Sequence, residues 1–200
     1  MGEVAATRER IVESAMRLFA VRGFERSSLA DIAAAAEARG GSVYHFFRTK
    51  RELLEAVLET YLGALVPHIF EPAFARTADP IEQIFAVLAD YRERVRTTEF
   101  TYRCPIGRLA LEVAGEDPGA RVLIDRNFAA WRDAVRGCLE RAKTRFRPGT
   151  DFDALSAFVL TVMEGAVMQC VAEASIEPFD ASIAQLRLFI TSQLRKTKRS

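Results

Sequence analysis

Between residues 38 and 47 the chain reads ARGGSVYHFF, a stretch that gathers side chains able to meet a nucleic acid. The Arg39 guanidinium has the fork geometry for a bidentate pair with guanine O6 and N7, and the Ser42 hydroxyl donates or accepts at a base or a phosphate. Tyr44 and His45 carry polar tips on flat bodies and suit phosphate or base-edge contact. Ser27 and Ser28, expected at the exposed N-terminus of a preceding helix, and Lys50, in the first turn of a following one, are placed for phosphates. Phosphate contacts set the register, and base contacts select sequence. Gly40 and Gly41 stand among these groups although glycine costs roughly 1 kcal/mol in a helix interior. Without a Cβ, Gly41 lets backbone approach a phosphate or a neighbouring helix; on its own, a Gly-Gly pair also reads as a loop. The formal net charge is only +1, so affinity for a polyanion has to come from local placement rather than a bulk basic balance.

These groups act together only if helices hold them. Ile11, Ala15, Leu18 and Phe19 recur at helical spacing opposite Arg8, Glu9, Glu13 and Arg17, which predicts a first helix capped by Thr7 and stopped by Gly23. In FERSSLADIAAAA, Ser28 and Asp31 have capping-box spacing, and Leu29, Ile32 and Ala33 give a second, short helix its apolar face. Thr49-x-x-Glu52 is a further capping box ahead of Leu53, Leu54, Val57, Leu58 and Tyr61. The stretch between becomes a helix from about Arg39 to Phe46. Val43, Phe46 and Phe47 turn inward onto Leu29, Ile32, Leu18 and Phe24; Arg39, Gly40, Ser42, Tyr44 and His45 turn outward. Two short helices joined by a tight turn and backed by a supporting helix form a helix-turn-helix, whose second helix lies in the major groove. Periodicity alone does not single this out, since short polar-aromatic helices occur in many helical proteins.

Beyond Leu62 the apolar patterns lengthen. The three prolines of PHIFEPAFARTADP are expected to bend or break the helix there. Asp79-Pro80 opens a helix to about Thr97, and Pro105 opens a short one through PIGRLALEVA. A long helix is expected from about Gly119 to Arg145 and another from Asp151 to Ala174. EPFD precedes a last one, and the chain is expected to fray in RKTKRS. No alternating strand pattern and no repeat appears. The fold class is all-α with about nine helices: an N-terminal three-helix helix-turn-helix domain over residues 1–50 and a C-terminal helical bundle over residues 51–200.

With 200 residues, half of them apolar and 28% charged, the chain is no disordered segment. Cys104, Cys138 and Cys170 form no C-x-x-C pair; reduced thiols of a cytosolic protein are the plainer reading beside redox sensing or metal binding. MGEVAATRERIVES lacks the apolar region of a secretory signal, and Ala6 stands where a myristoylation signal has Ser or Thr. No run approaches roughly 18 consecutive apolar residues, so no membrane contact is expected and the cytoplasm is the expected location. No H-E-x-x-H, phosphate loop, G-x-S-x-G or dinucleotide fingerprint is present, so no catalytic site, metal or cofactor is expected.

The stretch from TRERIVESAMRLFAVRGF through SSLADIA and GSVYHFF to TKRELLEAVL resembles, in that order, the N-terminal domain of TetR-family transcriptional regulators. The resemblance covers about the first 55 residues. It implies a homodimeric repressor-type regulator that binds a double-stranded operator and whose C-terminal domain binds a small effector that weakens DNA binding. Three positions depart from the usual pattern. The family has Gly where Glu37 stands, Ser or Thr where Arg39 stands, and often Lys or Arg where Gly40 stands; Arg39 can take over the basic role.

CPIGRLALEVAGEDP and MEGAVMQC resemble a subgroup in which the first segment forms a short helix by the effector pocket and the second lies in a dimer-forming helix. The phenylalanine-rich composition makes a hydrophobic or amphipathic effector the default. Candidate lining residues are Tyr61, Leu65, His68, Phe85, Leu88, Tyr102, Cys104, Ile106, Leu109, Phe128, Trp131, Met163 and Val167, each of which also reads as ordinary core. His68 suits a polar ligand group or a pH response. Glu164, inside an apolar run, calls for a partner, an arginine across a dimer ahead of a ligand. The last two helices carry apolar stripes through Phe152, Leu155, Phe158, Val159 and Val162, and through Ile183, Leu186, Ile190 and Leu194. Paired with their symmetry mates they make a four-helix bundle, and the two recognition helices then address a palindromic operator. A helical small-molecule binding protein with no DNA role is the alternative. A helical enzyme is disfavoured by the missing acid–base and metal clusters.

Overall fold

Helix α1 spans Gly2–Arg22, starting well before Thr7, because the Glu-Val-Ala-Ala lead-in contains no helix breaker. Thr7 is not its cap but accepts from the Arg10 guanidinium at 3.3 Å. The protein is described by a computed structural model over residues 2–195; the expected fraying of RKTKRS falls on residues 196–200, outside the described residues. Gly23 stops α1 as expected, at φ +92°, a left-handed conformation that suits glycine at a helix end.

Helix α2 (Leu29–Ala35) is capped by Ser28 and Asp31 reciprocally. The Asp31 amide donates to Ser28 Oγ at 3.0 Å and the Ser28 amide to the Asp31 carboxylate at 2.9 Å. The Ser28 hydroxyl, which donates to the Asp31 carboxylate at 2.6 Å, and then the Ser28 amide hold that carboxyl below its usual range. Helix α3 spans Gly40–Phe46, with Arg39 outside it as an extended N-cap rather than its first residue. Helix α4 (Lys50–Leu65) starts where Thr49 Oγ1 accepts from the Glu52 amide at 3.1 Å. The returning Glu52 carboxylate takes the Arg48 amide at 2.8 Å.

The proline-rich segment breaks the helix as expected, but only after Phe74, in residues 75–79 ahead of Pro80; the helix runs on through Pro67 and Pro72. A π-helical turn, Val66–Phe70, leads without interruption into α5 (Glu71–Phe74), so Lys50–Phe74 is one helical run. The Glu71 amide bonds to the Val66 carbonyl, five residues back, and this wider turn absorbs Pro67 and its missing donor. The remaining helices are α6 (Pro80–Thr97), α7 (Pro105–Val113), α8 (Pro118–Arg141), α9 (Phe152–Glu173) and α10 (Glu177–Gln193). Asp79 caps α6 and Asp151 caps α9. Helix α8 ends earlier than the sequence suggests and passes into a 3₁₀ turn, Lys143–Arg145. Among the described residues there is no strand, only a single bridge between Phe146 and Leu194.

The chain forms two compact units, one of residues up to Gly63 with Cys104–Phe128, the other of Ala64–Arg103 with Ala129 onward. The first has a single core: Ile11, Ala15 and Phe19 from α1, Ile32 from α2, Val43 from α3, Leu53, Val57 and Leu58 from α4, Leu109 from α7 and Ile124 from α8. In the second, α9 and α10 pack on each other and on α6. Trp131 sits there edge-on to Phe70 at 5.7 Å between ring centroids, its indole N–H 3.3 Å from the Tyr91 hydroxyl. Two bidentate pairs of opposite polarity fix α10 on α6. Arg92 donates to Asp180 at 2.6 and 2.7 Å; Arg187 donates to Glu82 at 2.6 and 3.0 Å while lying over the Phe85 ring at 3.6 Å. By length and composition alone, Lys50–Phe74 and Phe152–Glu173 would pass for membrane-crossing helices. Each carries apolar residues on a second side besides the one it buries.

Hydrogen bonding from Arg92 holds the Asp180 carboxyl below its ordinary range, and Arg145 does the same to Asp79. A carboxyl whose folded value lies below its unfolded value stabilises the fold above about pH 4 and loses that contribution as pH falls through the folded value. Urea unfolding followed by Trp131 fluorescence is therefore expected to show wild-type stability dropping more steeply below pH 4 than that of Asp180→Asn. Equal acid slopes in the two proteins would show that the Arg92–Asp180 pair carries no stability.

Candidate nucleic-acid interface

Burial divides α3 into two sides. Val43 is fully buried and Phe47 nearly so, both in the core that also holds Ile32 and Phe19, while the half-buried Phe46 packs at its edge with Leu18, Phe24 and Leu29. On the other side Arg39, Gly41, Tyr44 and His45 are exposed and Ser42 is half-buried. The backbone of α3 begins at Gly40. A Cβ at Gly41 would meet nothing within 4 Å, which removes packing against a neighbouring helix as the reason for this glycine and leaves its outward side free. Thr7, Ser42, His45 and Phe46 line a shallow groove of about 390 Å³ with Val4 and Gly41. It brings the α1 N-terminus alongside the exposed side of α3, a neighbour that ARGGSVYHFF alone does not reveal.

The phosphate candidates separate. Ser27 is not exposed: it is fully buried, and its hydroxyl donates to the Gly23 carbonyl at 2.7 Å. Its work is to close the α1–α2 turn. Ser28 is exposed while capping α2. Lys50 is half-buried, its ammonium 4.1 Å from the centre of the Phe24 ring and 3.4 Å from the Glu25 carbonyl. In the turn between α2 and α3, Glu37 has φ +51°, a left-handed conformation that costs a side-chain-bearing residue roughly 1–2 kcal/mol. This is the place where the resemblance has Gly, and the backbone explains that preference.

The pocket candidates fall in both units. Tyr61, Cys104, Ile106, Leu109 and Phe128 belong to the first, and Leu65, His68, Phe85, Leu88, Tyr102, Trp131, Met163 and Val167 to the second. Leu88, Leu109, Met163 and Val167 are fully buried core residues. His68 is exposed on the π-helical turn rather than turned inward. Tyr61, Leu65, Tyr102, Cys104, Ile106 and Phe128 are half-buried. Burial first, and the neighbouring Cys104 second, push the Tyr61 hydroxyl above its ordinary range; that hydroxyl lies 3.4 Å from the Met16 carbonyl. Burial likewise raises the Cys138 and Cys170 thiols. Among the described residues no group of three or more His, Cys, Asp or Glu could hold a metal ion.

On the last two helices the expected stripes divide by burial. Leu155, Val159, Leu186 and Ile190 are buried within the chain, which makes them core rather than interface; Phe152, Val162, Ile183 and Leu194 are half-buried and Phe158 is exposed. A groove of about 640 Å³ runs along α9 and α10 between Phe158, Val162, Gly165 and Gln169 on one side and Ser182, Gln185 and Phe189 on the other. Phe158 and Phe189 meet edge-to-face at 5.3 Å. Helical periodicity names an apolar side but not which of two apolar sides faces inward, which is how Phe189 was missed as a surface residue.

Two helices of seven residues each, joined by a tight turn, share one core, and the second leaves a polar, aromatic side open. That arrangement defines a helix-turn-helix DNA-binding protein. Residues 11–57 match the family described as bacterial regulatory proteins, tetR family, and residues 80–185 match the C-terminal domain of LmrA/YxaF-like transcriptional regulators. The chain belongs to the TetR family of transcriptional regulators. It is 28% identical over 163 residues to the HTH-type transcriptional regulator YxaF of Bacillus subtilis, covering 81% of this chain and 83% of that one. It is 28% identical over 164 residues to the HTH-type transcriptional repressor KstR2 of Mycobacterium tuberculosis, covering 79% and 78%. A TetR transcriptional regulator from Chloroflexus aurantiacus, 28% identical, superposes with a TM-score of 0.84 over 98% of this chain and 99% of that structure. Family members bind DNA operators and are generally dimers with small-molecule effectors.

Because its hydroxyl is buried and bonded, Ser27→Ala is expected to lower stability by about 1 kcal/mol and to leave the salt dependence of DNA binding unchanged. Denaturant titration with a parallel anisotropy titration checks this. Weaker DNA binding at unchanged stability would return Ser27 to the DNA surface.

Proposed function

We propose that the chain is a homodimeric, ligand-responsive repressor that reads a palindromic operator through α3 and leaves it when a small hydrophobic or amphipathic effector binds. The observation that carries this reading is the open side of α3: Arg39, Ser42, Tyr44 and His45 stand outward while Val43 and Phe47 hold the helix to the core. Arg39 pairs with a guanine, Tyr44 and His45 take phosphates or base edges, and Ser28 and Lys50 take phosphates. Gly40 and Gly41 leave the leading turn of the helix slim. Residues 1–50 form the reader, and residues 51–200 bind the effector and dimerise. Among the candidates within the first unit, the half-buried Tyr61, Cys104, Ile106 and Phe128 combine apolar surface with access. The repressor direction follows that of KstR2. The reading includes no catalytic step and no cofactor, and the cytoplasm, where the operator lies, is its place of action.

Dimerisation through α9 and α10 uses their outer side, where Phe158, Val162 and Phe189 leave apolar surface that a symmetry mate would cover. The effector acts by preferring a spacing of recognition helices that does not match the operator, so its effect on DNA affinity equals its differential affinity for the two states.

A duplex selected by the wild-type protein from a randomised library supplies the test ligand. Arg39→Ala is expected to weaken binding roughly 5- to 150-fold, the range of a lost bidentate base contact, and Tyr44→Phe to weaken it less, both without loss of thermal stability. Full affinity in both variants would remove α3 from the recognition surface. Absence of any salt-dependent duplex binding by the wild type would favour the helical small-molecule binder instead. Independently, Phe189→Glu is expected to shift the protein from dimer to monomer in light scattering and to cost at least about tenfold in operator affinity through the lost second half-site. A Phe189→Glu protein that remains dimeric would place the interface elsewhere.

A further inference from the structure

A pair of charged residues on α7, far from α3 in sequence, grips the turn that leads into the helix-turn-helix. The Arg108 guanidinium donates to the Ala20 and Val21 carbonyls at 2.9 and 3.1 Å, satisfying two carbonyls that the end of α1 leaves without helical partners. Arg108 Nε also donates to Glu112 Oε1 at 2.7 Å, and Glu112 Oε2 accepts from the Phe24 amide at 2.6 Å. Both side chains are mostly buried, at 19% and 25% exposed, so this grip is shielded as a surface ion pair is not. It lies flat on Gly23. A Cβ there would stand 2.5 to 2.8 Å from the Glu112 carboxylate and the Arg108 guanidinium, a second reason, besides its φ, for glycine at that position.

The residue that Glu112 holds is the one that carries Lys50. The Phe24 ring, wedged edge-on to Phe19 at 5.3 Å, supports the Lys50 ammonium at 4.1 Å. The neighbour of Lys50 is held from the same segment: Arg51 Nε donates to Asp117 at 2.7 Å, and Asp117 also accepts from the Gly119 and Ala120 amides at the start of α8. Lys50 is thus fixed through Phe24 on one side and through Arg51 on the other, both anchored in residues 104–128 of the same compact unit.

We infer that Arg108 and Glu112 are a positioning pair for DNA recognition: they set the α1–α2 turn so that Phe24 presents Lys50 to the DNA backbone, without touching DNA themselves. The inference rests on the DNA-reading function proposed above and adds residues that no part of the helix-turn-helix sequence contains.

The test uses the full-length dimer and the selected duplex, titrated over a range of salt. Lys50→Ala is expected to weaken binding roughly tenfold, as for a lost charge-assisted hydrogen bond, and to reduce the slope of log affinity against log salt by about one, as for one lost phosphate contact. Glu112→Ala is expected to do the same, and the double variant to lose no more than either alone. Glu112→Gln, which keeps an acceptor for the Phe24 amide, is expected to recover most of the affinity and the slope. A merely structural role would weaken binding at every salt concentration with the slope intact and the double variant additive, and that result overturns the inference. So does an unchanged slope in Lys50→Ala, which needs no Glu112 variant to fold. Failure of the wild type to bind any selected duplex would instead overturn the DNA-reading function and the inference with it.

Discussion

Helices of seven residues do not persist in water by themselves, because the cost of nucleating a turn is recovered only over longer runs. Both α2 and α3 have that length, so the open side of α3 exists only while Ile32 and Val43 stay buried against α1 and α4. Three local features of the first unit support this burial. The Ser28–Asp31 cap sets where α2 begins, Ser27 closes the turn ahead of it, and Glu37 accepts a strained backbone so that α3 can turn back onto the same core. The outward groups are then free to be polar, because none of them holds the helix in place.

Local chemistry was legible in the sequence and tertiary chemistry was not. Ser28–Asp31, Thr49–Glu52, Asp79-Pro80 and the entry of α7 at Pro105 each act within a few residues, so their spacing alone locates a helix start. The inward residues of α3 followed for the same reason. Pro67, Pro72 and Pro80 were read together as a bend or break because a proline removes one donor; the break comes only ahead of Pro80, and a π turn that shifts the bonding by one residue is invisible to that rule. Ser27 and Ser28 look alike in sequence, and only the fold buries one and exposes the other. The bond between Glu112 and the Phe24 amide joins residues 88 positions apart, and no periodicity encodes it.

The second unit shows the same division on a larger scale. Apolar stripes on α9 and α10 were evident, but each helix is apolar on two sides, and period alone cannot assign the sides. Burial separates them: Leu186 and Ile190 face inward and Phe189 outward, and Arg92 with Asp180 and Arg187 with Glu82 join α10 to α6 in the register that goes with this. Swapping the polarity between the two pairs also discriminates against a reversed or shifted α10, since any other register opposes like charges or strands one of them.

Gly41 illustrates what an open neighbourhood permits. The fold does not dictate the residue there, since an added side chain would meet no protein atom, and a helix gains stability when glycine is replaced. The open side of α3 can therefore accept a side chain at that position without disturbing the packing of the first unit. A fold built this way can vary its open side while its core, its turns and its supporting helices stay as they are.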